Sequence, residues 1–228
     1  FRPDTFITSP VVKSCAESTN VSVIKLFVVL LVLKSVVIVF TVRSTPGSSN
    51  VIEFITIANI ASSTDFGDLT EARRRLAGLS NSTRGVFIGG QTPTAVNTID
   101  FVTIATAGNA ADFGDTNAAH AAHAGAVASS TRGVYTIGGV PSYTNTIEFI
   151  TIATTGNGQD FGDLTQGAYV PSGCSNATRG LTFIGMSPDT STNTNAIEYT
   201  TMATTGNAVD FGDHITTCSS AQTASSPT

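Results

Sequence analysis

The sequence predicts an all-β chain built from repeated units of four short antiparallel strands, with about four such units in 228 residues. Three observations predict this. The composition is 41% hydrophobic and only 12% charged, with abundant Val, Ile, Thr, Ser, Asn and Gly, a balance that suits strands and turns. Three phrases recur together along the chain at one period. Between the phrases lie clusters of Gly, Pro, Asn, Ser and Thr, the residues that close turns.

The recurrence carries most of the argument. The phrase IEFITIA from Ile52 returns as IDFVTIA from Ile99, IEFITIA from Ile147 and IEYTTMA from Ile197, at spacings of 47, 48 and 50 residues. DFGD follows at Asp65, Asp112, Asp160 and Asp210 with the same spacings. TRGVFIGG from Thr83 returns as TRGVYTIGG from Thr131 and TRGLTFIGM from Thr178. In the clearest unit, strands are expected over residues 73–79, 85–89, 98–105 and 111–115, with breaks at 80–83, 90–97 and Gly108-Asn109. In the third strand Ile99 and Phe101 share one face while Val102 and Ile104 share the other. A sheet apolar on both faces must be covered on both sides.

Units then run over 22–69, 70–116, 117–164 and 165–213, with tails at 1–21 and 214–228, the first tail an N-terminal segment or an exchanged strand. The leading unit is atypical. Its run from Val21 to Val42 is nearly continuous in apolar residues and long enough to cross a bilayer as a helix. Lys25, Lys34, the crowd of β-branched residues and its place one repeat ahead of the later strands favour two strands broken near Lys34-Ser35.

Units of this size and strand count are what β-propeller blades look like, either closed into a ring or left as an open stack. The order ARRRLAGLSNSTRGVFIGG from Ala72 to Gly90, then an acidic-aromatic strand, then DFGDL, resembles the Kelch repeat over residues 70–213 and more loosely over 22–69. Phe66, Phe113, Phe161 and Phe211 stand where Kelch repeats usually carry Trp. The wording ATTGN followed by DFGD is similar to Kelch-like repeat proteins of marine phages and environmental sequences. That resemblance implies a virion or appendage component, extracellular or virion-associated.

Charge bears on partners. The net charge is -5, and only two basic residues follow position 85, so a basic face for nucleic acid is missing. Up to position 84 there are nine basic and six acidic residues, and after it two and ten. Ends of opposite sign favour head-to-tail contact between copies, making a homopolymer the expected partner state.

Arg84, Arg132 and Arg179 recur once per unit, as do Glu53, Asp100, Glu148 and Glu198. Their repetition in so weakly charged a chain suggests arginine forks pairing with carboxylates between blades. The DFGD phenylalanines are expected in the blade core, their glycines at turns or close approaches, and their aspartates capping backbone groups. The paired aspartates, Asp65 with Asp68 and their repeats, also offer clustered oxygens to calcium. His120 and His123 have a metal-like spacing that neighbouring units do not repeat, so no metal or cofactor is expected. Cys174 reads as a small buried hydrophobe, and Cys15 with Cys218 as a disulfide joining the two tails in an oxidising compartment.

No nucleophile elbow, phosphate loop or kinase context accompanies DFGD, so no enzyme is expected. The expected function is a structural subunit that self-assembles into an extracellular fibre or phage appendage, through blade-face packing and strand exchange. The alternative is a closed propeller that binds a surface glycan or another protein through the loops at 91–97, 140–145 and 187–195.

Overall fold

The computed structural model describes residues 26–33, 36–42, 47–56, 60–120, 125–138, 143–187, 192–218 and 223. It is all-β. Four antiparallel sheets follow one another along the chain, the main strands of each lying side by side in sequence order. The first holds β1 (Leu26–Leu33), β2 (Val36–Val42), β3 (Ser49–Thr56) and β4 (Thr64–Arg73). The second holds β5 (Ala77–Ser80), β6 (Arg84–Ile88), β7 (Val96–Thr103) and β8 (Ala111–His120). The third holds β9 (Ala126–Ala128), β10 (Arg132–Thr136), β11 (Thr144–Thr151) and β12 (Gln159–Ala168). The fourth holds β13 (Ser172–Ser175), β14 (Arg179–Phe183), β16 (Thr192–Thr201) and β17 (Val209–Cys218), with the short β15 (Met186–Ser187) also on β16.

Within the apolar run of the leading unit, residues 26–33 and 36–42 form β1 and β2, which pair with each other, and β2 pairs in turn with β3. Among the described residues no helix is long and apolar enough to cross a membrane.

The fourth strand of each sheet runs past DFGD, to Arg73, His120, Ala168 and Cys218, which in the clearest unit is five residues beyond the expected end at 115. The cause lies in the third strand. It begins before the periodic phrase, and its early residues Ser49, Val96, Thr144 and Thr194 pair with Arg73, His120, Ala168 and Cys218. Arg73 accordingly ends β4 and does not open the second sheet.

DFGD is a β-bulge. Glu53 pairs with Asp65 while Ile52 pairs with Gly67, leaving Phe66 as the extra residue between them. The same shift recurs at Asp112 and Gly114, at Asp160 and Gly162, and at Asp210 and Gly212. A bulge of this kind redirects a side chain and sharpens local twist.

Consecutive sheets pack face to face, each with a hydrophobic core between it and the next. Ile52, Phe66 and Leu69 of the first sheet meet Phe87, Val102 and Ile104 of the second. Leu79, Val86, Ile99 and Phe113 of the second meet Tyr135, Ile150 and Ile152 of the third. Val127, Val134, Ile147 and Phe161 of the third meet Ile184, Met202 and Ala208 of the fourth. The first strands β1, β5, β9 and β13 lie beside one another in turn. Among the described residues none of these cores joins the fourth sheet back to the first.

Candidate functional site: the joint between sheets

Each sheet has a front, toward the sheet that follows it, and a back, toward the one before. The joint is built from the bulge on the front and from the loop preceding the fourth strand on the back. Gly108 donates its backbone N–H to the carbonyl of Phe66 at 2.8 Å, and Ala110 donates to that of Asp68 at 2.8 Å. Asp68 in turn donates its N–H to Oδ1 of Asn109 at 3.1 Å. The second joint repeats this triplet with Gly156, Gly158 and Asn157 on Phe113 and Asp115, and the third with Gly206, Ala208 and Asn207 on Phe161 and Asp163.

This contact explains the glycine of the phrase. Gly114 and Gly162 both have φ near +145°, which L side chains rarely adopt. A Cβ on Gly114 would lie 2.6 Å from the carbonyl of Gly156, and one on Gly162 would lie 2.5 Å from that of Gly206. Backbone meets backbone here, with no flexible side chain to yield.

The third-strand carboxylates sit on the back face and are buried at every internal joint: Asp100 and Glu148 are 0% exposed and Glu198 is 1% exposed. Each receives the backbone N–H of the residue two beyond DFGD in the preceding sheet. Asp100 accepts from Thr70 N at 3.1 Å and Thr70 Oγ1 at 2.7 Å, and Glu148 from Asn117 N at 3.2 Å. Glu198 accepts from both N and Oγ1 of Thr165. The first two carboxylates each gain one more partner. Arg73 Nη2 donates to Asp100 at 3.0 Å, and Tyr135 donates its hydroxyl to Glu148 at 2.9 Å. Burial raises the pKa of Glu148, more than the hydrogen bonds from Tyr135 and Asn117 lower it, and Asp160 across the strand pair raises it further.

The recurring arginines take a different partner from the one expected. Arg84 Nη1 donates to the carbonyl of Ile152 at 2.9 Å, and Arg132 Nη1 to that of Met202 at 3.1 Å, both in the following sheet. Their guanidinium carbons lie 4.4 Å from the Phe101 ring centroid and 4.5 Å from that of Phe149. Among the described residues they form no ion pair with Asp100, Glu148 or Glu198; the one buried carboxylate–arginine pair is Asp100 with Arg73. The reason is position. Within a sheet the arginine faces forward and the carboxylate backward, and across a joint Glu148 lies on β11 four residues before Ile152, which follows the end of that strand, a separation of about 13 Å at strand rise.

The front of the fourth sheet carries the same equipment uncovered. Phe66, Phe113 and Phe161 are 5%, 2% and 2% exposed, whereas Phe211 is 51% exposed and so stands outside the blade core in which it was expected. Ile197 and Leu181 are half-buried where their counterparts Ile99 and Val86 are buried. Gly212 keeps a φ of +135° although nothing lies within 4 Å of its Cβ position. Arg179 stacks 4.8 Å from the Tyr199 centroid and is exposed. At the other end, Glu53 is only half-buried, and among the described residues none donates a hydrogen bond to it.

Other candidates resolve more simply. Among the described residues no three His, Cys, Asp or Glu side chains converge in a way that could hold a metal. His120 is buried at the end of β8 with Nδ1 3.2 Å from the carbonyl of Ala118, and burial lowers its pKa. His123 lies outside the described residues, as does Cys15 and with it the expected disulfide to Cys218. Cys174 is half-buried in β13, and burial raises its pKa. Asp68, Asp115 and Asp163 serve the joint through their main chain, each using both N–H and C=O, and Asp210 makes the expected backbone cap, its Oδ1 accepting from the Gly212 N–H at 3.1 Å.

Three contributors were not singled out from sequence. The Gly-Asn loop counts in the sequence as a break and as part of the ATTGN wording, with no contact assigned to it, although its three occurrences keep the spacing of DFGD. Arg73 and Tyr135 are not repeated residues, and nothing periodic marks them. Compared with protein-family models and with curated proteins, the chain matches none.

Proposed function

We propose that this chain is a non-enzymatic structural subunit that assembles with copies of itself through its blade faces, forming an extracellular fibre or a phage or virion appendage. The observation that carries the reading is the uncovered front of the fourth sheet. A half-exposed phenylalanine and a glycine kept in a restricted conformation repeat there what is covered at three internal joints, and a stacked arginine what is covered at two. Apolar surface of this kind favours association, and an exposed, unfilled sheet face must be covered or risk disordered aggregation. Residues 26–33 and 36–42 are strands of the chain's own first sheet, so face packing supplies the association and any exchanged strand would come from the tails. The Kelch-like wording of the repeats supports the appendage assignment.

Electron microscopy together with solution mass tests this. Filaments or discrete particles of many subunits are expected, and a species that stays at 23.4 kDa at every concentration would end the proposal.

A further inference from the structure

We infer that the front of the fourth sheet is the receiving half of a further joint, and that its occupant is the back of the first sheet of a second copy, set head to tail. This rests on the self-assembly reading and names the surfaces and the polarity of the contact.

The two ends complement each other in register. At each internal joint a third-strand carboxylate accepts from the residue two beyond DFGD. Glu53 is that carboxylate in the first sheet, with no donor among the described residues, and Ile215 is that residue in the fourth sheet, 95% exposed. Ile55 is half-buried in the place where Val102 and Ile150 are 2% exposed within their joints. The loop position of Gly108, Asn109 and Ala110 is held in the first sheet by Ala61, Ser62 and Ser63, all exposed. The two main-chain donors of the triplet therefore remain, and the Ser62 hydroxyl can accept where Asn109 does. A Cβ at Gly108 has nothing within 4 Å, so Ala61 fits that position sterically. Charge agrees with the polarity, since basic residues outnumber acidic ones up to position 84 and acidic residues outnumber basic ones ten to two after it. A contact between different surfaces of identical chains propagates without closing unless its rotation forms a ring.

The test uses the full chain and two variants, Phe211→Asp to block the front and Glu53→Lys to block the back. Both sites are at least partly exposed, and matching circular dichroism and melting of the dilute chains checks that the fold is kept. The parent is expected to gain mass with concentration, each variant alone to remain a monomer, and an equimolar mixture to stop at a one-to-one dimer, since one free front and one free back remain. As an independent readout, separate Ile215→Cys and Glu53→Cys chains should cross-link when mixed and oxidised. A parent that assembles while both variants assemble equally well overturns this joint and leaves the self-assembly reading intact. Variants that lose assembly but do not recover a dimer on mixing overturn the head-to-tail polarity. A monomeric parent overturns both; if the variants then also melt earlier, the two surfaces close within one chain.

Discussion

Arg73 donates to Asp100 across the joint between the first and second sheets at 3.0 Å, with both side chains 0% exposed. The pair has no copy at the other joints. His120, Ala168 and Cys218 occupy the position of Arg73, and the carboxylate is satisfied at the second joint by the Tyr135 hydroxyl and at the third by both groups of Thr165. The carboxylate and the N–H two beyond DFGD therefore recur at every internal joint, and what differs is the further side-chain partner, Arg73 at the first and Tyr135 at the second. Desolvation lowers the pKa of the Arg73 guanidinium, and Asp100 and then Glu71 oppose that shift.

Removing one member of this pair leaves the other buried without its partner, which typically costs about 3–5 kcal/mol. Asp100→Asn and Arg73→Met should each destabilise the chain on that scale, and the double variant by clearly less than their sum. Urea denaturation in a double-mutant cycle measures the coupling, and strict additivity would mean that the pair contributes nothing beyond its separate contacts.

Phe161 and Phe211 are the same residue of the repeat in two environments, 2% and 51% exposed. Phe161→Ala should cost roughly 3–5 kcal/mol, as core phenylalanine truncations do, and Phe211→Ala less than about 1.5 kcal/mol in the dilute monomer. Equal losses would show that the fourth face is covered in solution.

Arg132 and Arg179 form a second such comparison. Both stack on an aromatic ring, but only Arg132 donates to a carbonyl of a following sheet. Arg132→Ala is expected to cost about 1–2 kcal/mol and Arg179→Ala under about 0.5 kcal/mol in the monomer, both read from thermal melting. Lysine at 132 should restore little, because an ammonium cannot both stack and reach along the sheet as the planar fork does.

Two buried groups give pH dependences of opposite sign. Glu148 has its folded pKa raised by burial, so the folded chain holds its proton more tightly than the unfolded chain does. Its contribution to stability is present below the ordinary carboxylate range and is lost as pH rises from there through the raised folded value. His120 has its folded pKa lowered by burial, so stability falls as pH drops below the ordinary imidazole value toward the folded one. Glu148→Gln should flatten the first slope and His120→Gln the second, each measured by denaturation between pH 4 and pH 8. Retention of either slope in its variant would assign it to another group.

The sequence by itself determined the strand class, the four-unit organisation and the apolar character of both faces. Those features are local: alternation along Ile99 to Ile104, turn residues at fixed offsets, and phrases repeating about every 48 residues all act within one sheet or its turns. Even the aromatic of DFGD was legible as core in three copies, because its neighbours recur with it. Only the tertiary structure decided what the polar repeats do. Arg84 and Asp100 share a unit and a period, yet they face opposite sides of the sheet and reach different neighbours, a distinction set by the pairing of β6 with β7, which puts Arg84 opposite Thr103 and Asp100 opposite Phe87. The same holds for Phe211, identical in wording to Phe161 and opposite in exposure. Its burial requires a sheet in front of it, and a contact between sheets is a long-range fact that no phrase within one unit can encode.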